Sequence, residues 1–329
     1  MTHPLLQVNH LVTYYCTYLG NVQAVRDVSF NLQKGETIGV VGESGSGKSA
    51  LALSIMKLLD HSGKIMQGEV IFKGKDLLAM TEKQIRPLRG SQISMVFQNP
   101  KASLNPLFTI GNQFIEFLSA HQKMNKKEGY RLAMSMLSLV GIQSGKEVLK
   151  MYPHELSGGL CQKASIAMAL SLKPLLLIAD EPTSALDATV QVQILGLLKD
   201  LKQNEDMSML LISHDLGVVA NTCNRTMVMY GGMIMEEGET EEIFNHPRHP
   251  YTKGLLESIP NDTTGKGSKL AAIEGETPNM LNPQDGCPFM PRCPYAMNIC
   301  VKKTPEYFRI SDRRYAMCWL LHPDSPRRI

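Results

Sequence analysis

The stretch TIGVVGESGSGKSALALSIMKLL, Thr37 to Leu59, decides the fold. Thr37–Val41 is a short continuous apolar run that reads as a buried strand, a glycine-rich loop follows, and Ala50–Leu59 has helical composition. Gly42 to Ser49 fits G-x-x-x-x-G-K-[ST] between strand and helix, the context in which the pattern has physical meaning. Glycines let successive backbone N–H groups turn inward around phosphate oxygens, and the helix N-terminus adds positive potential. On this reading Gly42, Glu43, Ser44, Gly45, Ser46, Gly47, Lys48, Ser49 and Ala50 cradle a nucleotide. Lys48 reaches the β- and γ-phosphates and Ser49 ligates Mg²⁺. The four fixed positions coincide by chance in a chain of this length only about one time in a hundred.

The flanks of the loop fill in an α/β architecture. Upstream, Val22–Leu32 alternates and is rich in β-branched residues, and Lys34-Gly35 reads as a turn, so an antiparallel edge layer is expected there. Glu69–Phe72 and Ile93–Phe97 read as further strands. Phe114–Val140 is mostly helical in composition, broken by the polar segment KMNKKEG, Lys123–Gly129, and reads as a helical insert. Leu175–Ala179 and Met209–Ile212 are continuous apolar runs, as expected of central parallel strands covered on both faces. Helical composition over Val190–Leu201 completes a crossover between them. Asn261–Ser268, NDTTGKGS, has no apolar periodicity and reads as a linker, dividing the chain into residues 1–260 and 261–329.

Leu175–Glu181 delivers two adjacent carboxylates at the C-terminal edge of its strand. Asp180 suits a Mg²⁺ shell and Glu181 suits polarising an attacking water. An acidic pair after a strand also serves as a helix cap, so the pair alone does not decide between the two.

With these pieces in place the chain resembles the ATP-binding cassette family. Leu156-Ser157-Gly158-Gly159 is similar to the family's signature, and Pro182–Asp187 to the loop after its acidic strand. Gln98 matches the glutamine that joins the catalytic core to the helical subdomain, and His214, in Ile212-Ser213-His214-Asp215, matches the switch histidine. All five motifs stand in the family's order. The resemblance implies a P-loop NTPase cassette: a RecA-like, mainly parallel sheet core, an antiparallel β subdomain and a helical subdomain over about residues 99–170. It implies ATP and Mg²⁺ as ligands, with Ser49, Gln98 and Asp180 at the metal, Glu181 as the water-orienting base, and His214 on the γ-phosphate. Ser157, Gly158 and Gly159 form a second phosphate-binding surface at a helix N-terminus, facing ATP held by an opposing cassette, and Asp187 lies in the adjoining loop. Tyr15 falls where the family stacks an aromatic on adenine, with Tyr14 as competitor, since strand alternation puts only one of the two on the nucleotide side.

Two positions depart from the family pattern. Cys161 stands where a basic or polar residue is commoner, and reads either as a first-turn thiol of lowered pKa or as a tolerated surface substitution. Asn99 replaces the acidic residue more often found after the glutamine.

Asn245–Thr252 (NHPRHPYT), the Tyr152–Leu156 lead into the signature, and the closing Cys-Pro/Arg-Cys-Pro-Tyr pattern resemble the oligopeptide/dipeptide permease branch. Four of the seven cysteines, Cys287, Cys293, Cys300 and Cys318, lie in this tail, with stiffening prolines at 288, 291 and 294. The spacing is wider than the usual zinc knuckle, and iron–sulfur clusters accept more varied spacing. The branch implies a small C-terminal cysteine-rich domain holding a [4Fe–4S] cluster, with Zn²⁺ or unligated thiols as alternatives. It further implies a second, similar ATPase chain in a heterodimer, two transmembrane permease subunits, an extracytoplasmic solute-binding protein, and peripheral attachment at the cytoplasmic face of the bacterial inner membrane.

Composition fits that reading. The 329 residues are 43% hydrophobic, and 34 basic against 31 acidic residues leave a net charge of only +3, so no basic field advertises a nucleic-acid partner. No apolar run reaches the ~20 residues that cross a bilayer, and the N-terminus has no basic leader, so an intracellular ATPase docking on separate membrane subunits is expected. Uptake of di- and oligopeptides is the expected function. Nickel, a metal chelate or another small solute is the alternative cargo, and a soluble cassette ATPase acting on ribosomes or DNA is the alternative class.

Overall fold

The structure, a computed structural model, describes residues 3–183, 186–187, 190–196, 198, 207–258 and 273–326. The linker expected at Asn261–Ser268 and parts of the Pro182–Asp187 loop and the Val190–Leu201 helix lie outside the described residues. In chain order the strands are β1 (Leu6–Thr17), β2 (Gly20–Leu32), β3 (Thr37–Val41), β4 (Gly63–Phe72), β5 (Lys75–Asp76), β6 (Ile93–Val96), β7 (Leu176–Asp180) and β8 (Ser208–Ile212). They continue with β9 (Arg225–Tyr230), β10 (Met233–Glu239), β11 (Phe308–Ser311) and β12 (Arg314–Ala316).

The chain forms two compact units. The first comprises Met1–Asn31, Ile38–Leu78 and Ser213–Ile329. Its antiparallel layer runs β2-β1-β4-β5, the expected edge layer, and a second layer runs β3-β9-β10-β12-β11. Within the latter, β3 and β9 are parallel, with Val41 opposite Val228, and both strands are buried along their length. That burial explains why Thr37–Val41 is apolar without alternation. The C-terminal strands extend this layer, Glu236 of β10 pairing with Ala316 of β12.

β4 begins at Gly63, six residues ahead of the Glu69 expected from sequence. Gly63–Gly68 carries little apolar signal but pairs with the long β1, Tyr15 opposite Gly63. The register shifts between Asn9 and Val12, and opposite it Gly68 adopts a φ of 106°, where a Cβ would lie 2.6 Å from Leu11 Cα. Only glycine admits that approach.

The second unit comprises Leu32–Thr37 and Ala79–Ile212. Its strands β6, β7 and β8 are parallel, with Ser94 opposite Leu177 and Leu177 opposite Met209. The helical insert contains helices Ile110–His121, Lys126–Leu139 and Gly158–Leu170. The polar break is shorter than expected. Asn125 caps the second helix by accepting from Glu128 N–H at 2.9 Å while the Glu128 carboxylate reaches back to Asn125 N–H at 3.1 Å, so Lys126–Gly129 form its first turn.

Candidate functional site

In the first unit the glycine loop links β3 to the helix Lys48–Met56. Its glycines are fixed by crowding. A Cβ on Gly42 would sit 2.1 Å from Met229 O, one on Gly47 2.1 Å from Ala24 O, and the two residues have φ of 149° and 101°. The loop is thus pressed against the backbones of β2 and β9, and only glycine fits. Gly232 N–H donates to Ser46 O at 3.0 Å, fastening the β9–β10 turn to the loop. Lys48 is buried, and its Nζ donates to Gly42 O and Glu43 O, each at 2.8 Å, and to Ser46 Oγ at 3.2 Å. The ammonium is held inside the loop's curve, while Ser44 and Gly45 face solvent.

The other residues expected in this unit are placed by β1 and by the turn after Ile212. Thr13 Oγ1 lies 2.8 Å from Ser54 Oγ on the helix that follows the loop. Strand alternation puts Tyr15 on Thr13's side and Tyr14 on the other. Tyr15 packs on Gly63, whose Cβ would meet its Cε1 at 3.2 Å, and burial, then Asp60, raises its phenol pKa. Tyr14 lies near Arg26 instead, whose pKa burial lowers, with Tyr14 and Asp285 opposing. His214 is exposed, in a turn held by Asp215 N–H donating to Ser213 Oγ at 3.0 Å and Val218 N–H to Asp215 Oδ1 at 3.1 Å.

In the second unit β7 delivers Asp180, 4% exposed, and Glu181 directly after it. Glu181 has a φ of 46°, a left-handed conformation that costs a non-glycine residue roughly 1–3 kcal/mol. It is retained because Glu181 N–H donates to Ile212 O at 3.0 Å and Gln98 Nε2 donates to its carboxylate at 2.8 Å. The structure therefore brings Gln98, Asp180 and Glu181 together at the C-terminal ends of parallel strands, where α/β sheets bind ligands. Hydroxyl and carboxylate oxygens are the hard donors that suit Mg²⁺, so the chemistry of Ser49 and Asp180 fits that ion.

Ser157 is the exposed N-cap of Gly158–Leu170, its Oγ accepting from Leu160 N–H at 3.3 Å. Nothing lies within 4 Å of where a Gly158 Cβ would be. The helix end therefore presents open backbone amides and a positive dipole end, which suits an anion. Asp187 is exposed, its Oδ1 accepting from Val190 N–H at 3.0 Å.

Both departures from the family pattern resolve structurally. Asn99 N-caps Pro100–Ser103, accepting from Ala102 N–H at 3.2 Å, a task Asp and Asn perform equally well. Cys161 is fully buried, its Sγ contacts Pro153 O at 3.4 Å, and burial pushes its thiol pKa up, Lys101 opposing. Neither the lowered pKa nor the surface position expected for it is found, because the residue faces inward from the helix.

All seven cysteines are free thiols. In the tail, Cys287 N–H donates to Cys300 O at 2.8 Å, and Cys318, Cys300 and Cys293 each act on the Cys287 thiol to raise its pKa. Burial is the larger cause, and with it Cys287 and Cys318 are pushed up to about 12. Among the described residues no group of three or more His, Cys, Asp or Glu side chains is placed to hold a metal ion. The expectation of a formed metal centre at Cys287, Cys293, Cys300 and Cys318 is corrected to that extent. Cys287, Cys300 and Cys318 are buried and Cys293 is half-buried, and the four do not form a preformed ligand set.

Sequence alone missed Arg292. Its guanidinium donates to both carboxylate oxygens of Glu43, NH1 to Oε2 at 2.6 Å and NH2 to Oε1 at 3.0 Å, a contact between residues 249 positions apart. The only sequence signal was its place inside the Cys-Pro/Arg-Cys-Pro-Tyr pattern.

The ABC transporter family matches residues 25–184, and the oligopeptide/dipeptide transporter C-terminal region matches residues 235–300. The chain is 48% identical to the oligopeptide transport ATP-binding protein OppD of Bacillus subtilis, across 98% of this chain and 90% of that protein. It is 49% identical to the dipeptide transport ATP-binding protein DppD of the same organism, across 96% and 94%. It is 47% identical to OppD of Salmonella typhimurium, across 96% and 93%. Among solved structures it is similar to a dimeric post-hydrolysis state of the ATP-binding cassette MJ0796 bound to ADP and Pi, with a TM-score of 0.66, 26% identity, and coverage of 71% of this chain and 98% of that one. CbiO1 from Clostridium perfringens, part of an ABC transporter complex, matches with a TM-score of 0.60, 26% identity and coverage of 74% and 92%.

Proposed function

Since the chain belongs to the ABC transporter family, in its oligopeptide/dipeptide transport ATP-binding branch, we propose that it hydrolyses ATP to drive uptake of di- and oligopeptides. The observation that carries ATP hydrolysis is Glu181, held in a strained backbone conformation beside buried Asp180 with Gln98 donating to its carboxylate. In the proposed mechanism the amides of Gly42–Ala50 and Lys48 bind the phosphates, and Tyr15 stacks on the base. Ser49, Asp180 and Gln98 hold Mg²⁺, which when bound neutralises charge on the transferring phosphoryl group. Glu181 orients water and accepts its proton, and His214 fixes the γ-phosphate end of that arrangement. Ser157, Gly158, Gly159 and Asp187 serve ATP held by a second cassette, a reading supported by the dimeric cassettes among the similar structures.

The cargo class rests on the names of the relatives, matched along nearly the whole chain. A soluble cassette acting on ribosomes or DNA is not favoured for the same reason. No helix among the described residues is long and apolar enough to cross a membrane. The chain docks peripherally at the cytoplasmic face of the inner membrane on two permease subunits fed by a solute-binding protein, with a homologous second ATPase chain. Exposed Leu107, Phe108, Tyr130 and Met134 support docking through the helical insert. Residues 1–260 form the cassette and 261–329 an accessory segment. Its four cysteines are proposed to take up a [4Fe–4S] cluster, or Zn²⁺, on the soft ligand chemistry of thiolates alone.

Uptake of a panel of labelled solutes by a strain lacking this chain tests the cargo: loss of di- and oligopeptide uptake is expected, and loss of nickel uptake alone would overturn the peptide assignment. Anaerobic purification followed by iron, sulfide and zinc analysis tests the tail. Iron with matching sulfide is expected for the cluster, whereas stoichiometric zinc without iron rejects it.

A further inference from the structure

We infer that Arg292 is a positioning residue for the phosphate loop, acting through Glu43 together with Tyr251. This rests on reading Gly42–Ser49 as the nucleotide loop. Two segments that no step of the ATPase mechanism uses, NHPRHPYT and the Arg-Cys-Pro-Tyr tail, converge on this single loop residue. Each polar group of Glu43 is engaged. Its N–H donates to Tyr251 Oη at 2.9 Å, and its carbonyl accepts from Lys48 Nζ at 2.8 Å and Ser46 N–H at 3.2 Å. Its carboxylate is forked by Arg292.

The clamp is itself rigid. The Arg292 side chain is 5% exposed, its Nε donates to Glu274 O and its NH2 to Ile273 O, both at 2.9 Å, and its NH1 also donates to Tyr230 Oη at 3.2 Å. Tyr230, Tyr251 and Phe289 pack around this point in tilted and edge-to-face pairs, with ring centroids 4.5 to 5.4 Å apart. A bidentate pair fixes direction as well as distance. Glu43 is the hub of the loop, because its carbonyl carries both the Lys48 ammonium and the Ser46 amide. Holding Glu43 therefore preorganises the amides that follow, lowering the ordering cost of binding phosphate. Arg292 also neutralises a carboxylate carried by the loop that is proposed to bind a polyanion.

The test is Mg-ATP affinity of the full chain, with KM and kcat of the assembled transporter. Arg292→Gln is expected to raise Kd and KM about tenfold while kcat changes by less than about twofold. Arg292→Lys restores only part of the affinity, since an ammonium lacks the fork. Glu43→Gln weakens binding as well, and the double substitution Glu43→Gln/Arg292→Gln is no worse than the more affected single. Wild-type affinity in folded Arg292→Gln, or additive effects in the double, overturns the inference. Should Arg292→Gln not fold, Glu43→Gln decides, because that side chain is 25% exposed and its amide is isosteric: unchanged affinity there overturns the inference. Lys48→Ala is the control for the underlying reading. Undiminished binding in Lys48→Ala means the loop is not the nucleotide site, whereas its loss together with an unaffected Arg292→Gln rejects the clamp alone.

Discussion

His249 shows how far this fold commits individual side chains. It is 1% exposed, its Nδ1 accepts from Tyr251 N–H at 3.0 Å, and burial drives its pKa down to about 3, a backbone bond to Met317 opposing. The folded chain keeps this imidazole neutral, whereas the unfolded chain protonates it below about 6.5. In the window between those values the unfolded state binds more protons, so stability rises with pH there and falls as pH drops from about 6.5 toward 3, by up to about 1.4 kcal/mol per unit. Urea denaturation across pH 4–7 checks this, and His249→Gln is expected to flatten the profile. Cys161 is a second residue-scale case. Its buried, raised thiol is expected to resist alkylation in the native chain at pH 8 and to react only on unfolding. Prompt native labelling of Cys161, read by peptide mass mapping, contradicts the placement.

At the scale of elements, the C-terminal strands are tied to β10 by a buried ionic group. Glu236, fully buried, accepts from Arg248 N–H and His249 N–H, each at 2.9 Å, and from Arg314 NH2 at 3.2 Å. Arg314 NH1 also donates to Glu242 at 2.7 Å, and its NH2 to His246 O. Arg314→Met is expected to lower stability by about 3–5 kcal/mol, since it strips a cation from a buried carboxylate. The loss is read as an earlier thermal or denaturant midpoint. Elements with strong local signal were legible in the sequence: Thr37–Val41 coincides with β3, and Met209–Ile212 falls within β8. Gly63–Gly68 was not, because its strand character comes from pairing with β1 and not from its own residues. The Lys126–Gly129 turn looks like a break in the sequence because its helix signal is a capping box inside a polar run. For the site, the motif residues were legible because each has a fixed local spacing. The inward face of Cys161 and the Arg292–Glu43 pair were not, since tertiary packing alone decides which way a helix residue faces and which distant side chains meet.

For the whole molecule, ATP hydrolysis by one chain is proposed to be one step of an assembly's work. In the proposed mechanism the amides of the signature helix end serve a nucleotide held by a second cassette. Glu181→Gln should retain Mg-ATP and trap a nucleotide-bound pair of cassettes, seen as a mass increase in size-exclusion chromatography with light scattering. A complex that stays the size of a single cassette at saturating ATP argues against the shared site. The most direct test of the central claim is ATP hydrolysis coupled to peptide uptake in vesicles holding this chain with its permease subunits and binding protein. The wild-type assembly is predicted to hydrolyse ATP and accumulate peptide, and Glu181→Gln to bind ATP normally while both rates fall by about 10²–10⁴-fold. Undiminished hydrolysis and uptake in the Glu181→Gln assembly would contradict the account.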